Sequence, residues 1–232
     1  ACMSQLELNG NNQTLAGLNG SANNGSSIGN NIVQNSGAGP VNLTINGSGT
    51  STYNGVLGGA GANNFNLVMG GTGTFSLGNA NTFTGSVTVN GGGNLKLNHI
   101  NAVQDASGIT VAGGSDLQPD LASGTYASVP LTITGSGPGP FQGALYFNNG
   151  GAATVTWAGA ITLGTGGATI HSFGVANNVT LAGAIDGTGP LTLAGRGGSS
   201  SSHNATFNLN AQDSYTGNTT INGGTLAVAT DA

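Results

Sequence analysis

Residues 81–93 read "NTFTGSVTVNGGG", and residues 213–225 read "DSYTGNTTINGGT". Phe83 aligns with Tyr215, and Gly85 aligns with Gly217, without any gap between the two copies. In each copy an aromatic residue and a glycine precede a Thr-rich segment, which an Asn-Gly-Gly turn follows. A unit that keeps both its length and its pattern indicates a repeated structural element.

The composition favours β-structure over helix and over disorder. The 232 residues include 45 Gly, and only 4% of them are charged, against about 25% in ordinary domains. Hydrophobic residues make up 37% and alternate with polar ones in segments such as "LTI" (43–45), "VTV" (87–89) and "LKL" (95–97). Gly, Asn, Ser and Thr are poor helix formers, and two-residue alternation is typical of half-buried strands. We therefore predict an all-β chain.

A second self-match supports a repeat architecture. Residues 43–57, "LTINGSGTSTYNGVL", align without a gap on residues 131–145, "LTITGSGPGPFQGAL". A corner motif of a large apolar residue, a spacer and a glycine occurs seven times. We predict that each large residue points into a core and that each glycine lets the backbone pass it. At Gly85 and Gly217 we also predict a backbone conformation that is costly for other residues. The motif pairs are Leu15 and Gly17, Tyr53 and Gly55, Phe83 and Gly85, Phe141 and Gly143, Trp157 and Gly159, Leu181 and Gly183, and Tyr215 and Gly217.

The uneven spacing of these corners favours a solenoid over a propeller, whose blades have a fixed size. In a parallel β-solenoid the coils lie about 4.8 Å apart and equivalent residues stack on one another. At roughly 20–25 residues per coil, the chain makes on the order of ten coils. We predict one continuous domain over residues 1–232.

Two segments resemble a known family. Residues 71–97 and 208–228 resemble the autotransporter-associated β-strand repeat, also called the passenger-associated transport repeat. The shared pattern is Gly-x-Leu-x-Leu, Asn-x-Tyr/Phe-x-Gly, Thr-x-Val/Ile and Gly-Gly-x-Leu. Residues 6–20, "LELNGNNQTLAGLNG", look like the segment that commonly follows this repeat. The resemblance implies a right-handed parallel β-helix in a secreted or surface-displayed bacterial protein.

The charge pattern excludes several partners. The net charge is −5, and Lys96 and Arg196 are the only basic residues apart from histidine, too few to neutralise a nucleic acid or an anionic membrane surface. The sequence contains no run of 18 apolar residues and therefore predicts no membrane-inserted segment. The single Cys2 cannot form a disulfide within the chain. Because so few charges exist, we expect stability to depend little on salt, or on pH between about 5 and 9.

Few residues suggest chemistry. Asp105, Asp116 and Asp120 could meet in one loop around a Ca²⁺ ion, although solvated loop carboxylates are the favoured interpretation. His99, His171 and His203 lack metal-ligand spacing, and no nucleophile elbow supports a triad of a serine in 199–202 with His203 and Asp213. We predict no catalytic residue, no cofactor and no enzymatic activity.

The leading hypothesis is a structural extracellular scaffold: a stalk, fibre or adhesin passenger segment. The open ends of a solenoid also predict head-to-tail self-association into filaments. The alternative is a carbohydrate-binding or adhesive module that contacts glycans or a host surface, and a polysaccharide-lyase-like enzyme is third. Trp157, Tyr53 and Tyr215 stand at corners, so we interpret them as core residues rather than glycan platforms.

Overall fold

The computed structural model describes residues 4–21, 31–59, 63–195 and 204–229. These residues form 23 short strands and no helix, and so contain no helix that could cross a membrane. The strands pair in parallel with neighbours from the preceding and following coils. The predicted all-β parallel solenoid is confirmed.

The chain passes three faces in a fixed order on each turn. The first face contains β2 (Gln13–Leu15), β4 (Val41–Ile45), β7 (Phe65–Met69), β9 (Val87–Val89), β11 (Ile109–Val111), β14 (Leu131–Gly135), the start of β17 (Ile161–Phe173) and β19 (Ile185–Gly187). The second face contains β5 (Thr50–Tyr53), β8 (Thr74–Leu77), β10 (Asn94–Leu97), β12 (Asp116–Pro119), β15 (Leu145–Asn148), the end of β17, β20 (Leu191–Ala194) and β22 (Thr219–Ile221). The third face contains β1 (Gln5–Glu7), β3 (Ile32–Gln34), β6 (Val56–Leu57), β13 (Ser123–Tyr126), β16 (Thr154–Trp157), β18 (Asn178–Leu181), β21 (Thr206–Leu209) and β23 (Thr225–Val228).

Each face thus contains eight strands within the described residues, so the solenoid makes about eight turns, near the roughly ten expected. On the third face two coils pass between β6 and β13 without a regular strand. Backbone hydrogen bonds still connect these coils to their neighbours: Phe83 N donates to Leu57 O at 3.2 Å, and Asn81 N donates to Asn101 O at 3.2 Å.

The core is a stack of equivalent inward side chains. Alternation along each strand places every second residue inside, and parallel pairing in register places it over its counterpart in the next coil. The buried apolar residues form one cluster that extends from Leu8 to Leu209. On the first face, one such inward column consists of Leu67, Val87, Ile109, Leu131, Ile161 and Ile185, each at most 2% exposed.

The two copies of the opening motif occupy different faces. The segment at 87–89 pairs with β7 and β11 on the first face, whereas the segment at 219–221 pairs with β20 on the second. Likewise β8 precedes the first copy on the second face, and β21 precedes the second copy on the third face. The repeat therefore specifies one turn of the solenoid and does not specify a face.

Candidate functional site

Four of the seven predicted corner side chains lie in the core. Tyr53 is 3% exposed, Phe83 1%, Trp157 0% and Leu181 1%. Leu15 and Tyr215 are partly buried and pack against the same cluster. Phe83 stacks on Phe65 with ring centroids 5.4 Å apart, and Trp157 stacks on Tyr126 at 6.2 Å.

The prediction for Phe141 was wrong, because its side chain is 51% exposed. In earlier coils the connection from the first face to the second has four residues, as at 46–49 and 112–115. After β14 this connection has nine residues, 136–144, so the gapless match to residues 43–57 fails there. Phe141 consequently lies in a loop, whereas its counterpart Tyr53 lies in strand β5.

The backbone conformation predicted for Gly85 and Gly217 is not found, because neither has a positive φ. None of the seven is among the residues with positive φ. Close approach between coils explains them instead: a Cβ on Gly159 would meet the Val129 carbonyl oxygen at 1.9 Å, and one on Gly183 would meet the Gly159 carbonyl oxygen at 2.3 Å. Gly17 has the most space of the seven, since the atom nearest to an added Cβ would be the Ser51 Cβ at 3.3 Å.

The three carboxylates considered for Ca²⁺ do not meet. Asp105 is exposed in the turn before β11, and Asp120 forms an ion pair with Lys96 at 3.2 Å. Asp116 lies on β12 and is 0% exposed. Across the described residues, no group of three His, Cys, Asp or Glu side chains is arranged to hold a metal ion.

The other residues considered for chemistry are also dispersed. His99 Nδ1 accepts a hydrogen bond from Asn101 N at 3.0 Å in a turn, and Asp213 Oδ1 accepts one from Ile185 N at 2.7 Å. Cys2, Arg196, His203 and residues 199–202 lie outside the described residues.

A buried polar cluster lies on the outer side of the second face, which sequence reasoning did not predict. The cluster consists of outward residues on three successive strands: Asp116 and Gln118 on β12, Tyr146 on β15 and His171 on β17. They are nevertheless only 0%, 2%, 6% and 3% exposed, respectively. Gln118 Nε2 donates to Asp116 Oδ2 at 2.9 Å. The rings of Tyr146 and His171 meet edge to face with centroids 5.3 Å apart.

Burial dominates the electrostatics of this cluster. It raises the pKa of Asp116 from 3.8 to about 7, although the Gln118 hydrogen bond and the Lys96 charge act in the opposite direction. Burial also raises the pKa of the Tyr146 hydroxyl to about 12, with smaller contributions from the charges of Asp116 and Asp120. The raised pKa of Asp116 lies within the range of pH 5–9 and therefore argues against the expected pH independence of stability.

A cavity of about 240 Å³ adjoins the cluster. Phe141 and Gln142 of the long connection line one side, and Thr169, His171, Thr192 and Asn222 from three successive coils line the other. The sequence signal that could have located it is the nine-residue connection with two prolines, where earlier coils have four residues.

The last described coil leaves apolar side chains exposed. Ile221 on β22 is 49% exposed, and Val228 on β23 is 64% exposed. Their counterparts one coil earlier, Leu193 and Leu209, are 0% and 3% exposed. A further coil would cover Ile221 and Val228 in the same way.

Comparison with known proteins gives one family match. The sequence model of the passenger-associated transport repeat matches residues 67–96 and 204–228. No curated protein and no solved structure gives a significant match. The two matched segments include the two copies of the opening motif.

Proposed function

We propose that the chain is a structural column of a secreted or surface-displayed bacterial protein of the autotransporter passenger type. The match of residues 67–96 and 204–228 to the passenger-associated transport repeat, together with the β-solenoid fold, supports this proposal. In this proposal it acts as a stalk or adhesin passenger segment, and it has no catalytic activity.

The observation that carries the proposal is the single apolar cluster from Leu8 to Leu209. Every coil contributes inward side chains to it, so each coil is supported by the coils above and below. Such a column gains length by adding turns, and it needs no second domain. A stiff spacer requires such a continuous core, whereas an enzyme requires a cluster of catalytic residues at one place.

Outward side chains support the same function. Amide ladders connect neighbouring coils: Asn66 Nδ2 donates to Asn42 Oδ1 at 3.0 Å, and Ser86 N donates to Asn66 Oδ1 at 2.9 Å. Neutral amides stacked one strand spacing apart avoid the repulsion that stacked like charges would cause.

Surface display tests the proposal. We would express residues 1–232 behind a secretory leader and in front of an autotransporter translocator, and then treat whole cells with protease. We expect an intact, protease-resistant fragment to be released from the cell surface. A fragment that stays inside the cell, or that is degraded on the surface, would contradict the proposal. The Phe83→Ala variant, which weakens the core, should give less resistant fragment.

Head-to-tail self-association is a second proposal, which the exposed Ile221 and Val228 favour. In it the first coil of another copy covers these side chains, and the same junction repeated gives open filaments. Sedimentation over a concentration series should show growing polymers, and Val228→Lys should abolish them. A monomer at all concentrations would refute it.

A further inference from the structure

We propose that the cavity beneath Phe141 binds a neutral carbohydrate unit. The inference is independent of the column function, which stands whether or not the cavity is occupied. It assigns a ligand class to a place whose lining residues, apart from Asn222, lie outside the two matched repeats.

Phe141 provides the first argument. A phenylalanine that is 51% exposed loses the stabilisation that burial in the core would give it. Here its ring stands beside a concave space rather than on a flat surface. Pyranose rings present a face of C–H groups, and such a face packs well against an aromatic ring.

The opposite side of the cavity is polar. Thr169 pairs with Thr192 in register, so their hydroxyls lie about 4.8 Å apart along the solenoid axis. His171 and Asn222 stand in the neighbouring column on either side of Ala194, whose small side chain leaves room between them. These groups and the Gln142 amide supply donors and acceptors for sugar hydroxyls.

Buried contacts hold the lining of the cavity in place. His171 is 3% exposed, and the Tyr146 ring packs edge-on against it at 5.3 Å, so its imidazole is fixed before any ligand arrives. Gly143, at the end of the connection, lies so close to the next coil that an added Cβ would meet Thr169 O at 2.6 Å. This close packing anchors the segment that carries Phe141 and Gln142.

The volume of the cavity and the charge of its lining restrict the class of ligand. A volume of 240 Å³ lies below the roughly 300–1,000 Å³ of sites for drug-sized ligands, so it suits one sugar ring or the end of a chain. The described lining residues include no Lys, Arg, Asp or Glu, which favours a neutral sugar over a phosphate or a uronate.

Saturation-transfer NMR on the full chain tests the proposal. The probes are the methyl glycosides of glucose, galactose, mannose and N-acetylglucosamine at millimolar concentration, with inorganic phosphate as the anionic comparison. We expect saturation transfer to at least one glycoside. Phe141→Ala should weaken its binding at least tenfold, and Thr192→Val should weaken it less. Phe141→Tyr should retain binding.

Val175→Ala is the matched control, because Val175 is also an exposed apolar residue, at 48%, and does not line the cavity. Circular dichroism of each variant checks that the solenoid stays folded. Three results would overturn the proposal: no transfer to any of the glycosides, equal transfer in Phe141→Ala, or phosphate binding that displaces the glycoside signal.

Discussion

Replacing Asp116 with asparagine should remove a pH-dependent loss of stability. Burial raises the pKa of this carboxyl from 3.8 in an exposed chain to about 7 in the fold. The fold therefore favours the neutral acid, and its contribution is fully present below about pH 4 and is lost as the pH rises through about 7. An asparagine keeps the shape of the neutral acid and cannot ionise.

The magnitude follows from the two pKa values. The difference between them corresponds to about 4 kcal/mol of unfolding free energy once the carboxyl is ionised in both states. Asp116 Oδ1 and Gln118 Oε1 are buried acceptors that receive no hydrogen bond within the described structure. Protonation of Asp116 turns one of these acceptors into a donor, which also favours the neutral acid.

The assay is denaturant unfolding of the wild type and of Asp116→Asn at pH 4, 6 and 8. Both proteins carry the same remaining acids, so the difference between them isolates Asp116. We expect a difference near zero at pH 4 that grows to about 4 kcal/mol in favour of the variant at pH 8. Asp105→Asn, which replaces an exposed carboxylate, is the matched control for the substitution itself. A difference for Asp116→Asn that stays constant across pH would refute the reasoning, as would a ¹³C titration of its carboxyl with a midpoint near 4.

Three further outcomes are expected. Phe83→Ala should lower the unfolding free energy by about 3–5 kcal/mol, because the ring is 1% exposed, and an unchanged denaturation midpoint would show that it does not support the core. Gly159→Ala should destabilise by about 1–3 kcal/mol or more because its Cβ collides with the preceding coil, whereas Gly151→Ala, with nothing within 4 Å, should be near neutral; equal effects would contradict the close-approach explanation. Hydrogen bonds from the backbone of Ser36 and the side chain of Gln34 lower the pKa of Glu7 to about 2, so its contribution should be present above about pH 4.5 and lost as the pH falls through 2; an NMR midpoint near 4.5 would be inconsistent with these bonds.

The fold class could be predicted because it depends on local and repetitive signals. Two-residue alternation, glycine-terminated segments and a gapless repeat each describe a short stretch of chain, and parallel stacking turns them into one core. The error at Phe141 has a defined physical cause. Alignment of residues 43–57 with 131–145 assumes equal connections, but the second coil has five more residues before its next strand.

The polar cluster and the cavity could not be predicted in this way. Asp116 occupies an outward position in an alternating strand, where sequence alone predicts a solvated carboxylate, and its burial depends on what lies over that strand. The prolines of the connection mark the position of the cavity, but its lining depends on coil-to-coil register, which brings together Phe141, Gln142, Thr169, His171, Thr192 and Asn222. In the same way, the glycine at each corner could be recognised as necessary, but the reason lies in the neighbouring coil.

The different faces occupied by the two repeat copies explain how such a column can acquire sites. Because β9 and β22 carry equivalent sequence on different faces, the core accepts the same turn in more than one orientation. Each coil must keep the alternation that places every second side chain inside, and it must keep the corner glycine that allows close approach, since both contact neighbouring coils. The five extra residues after β14 leave the first-face pairing of residues 131–133 with 161–163 in register. Connections can therefore vary in length from coil to coil while the column persists, and recognition is expected at lengthened connections, as at Phe141.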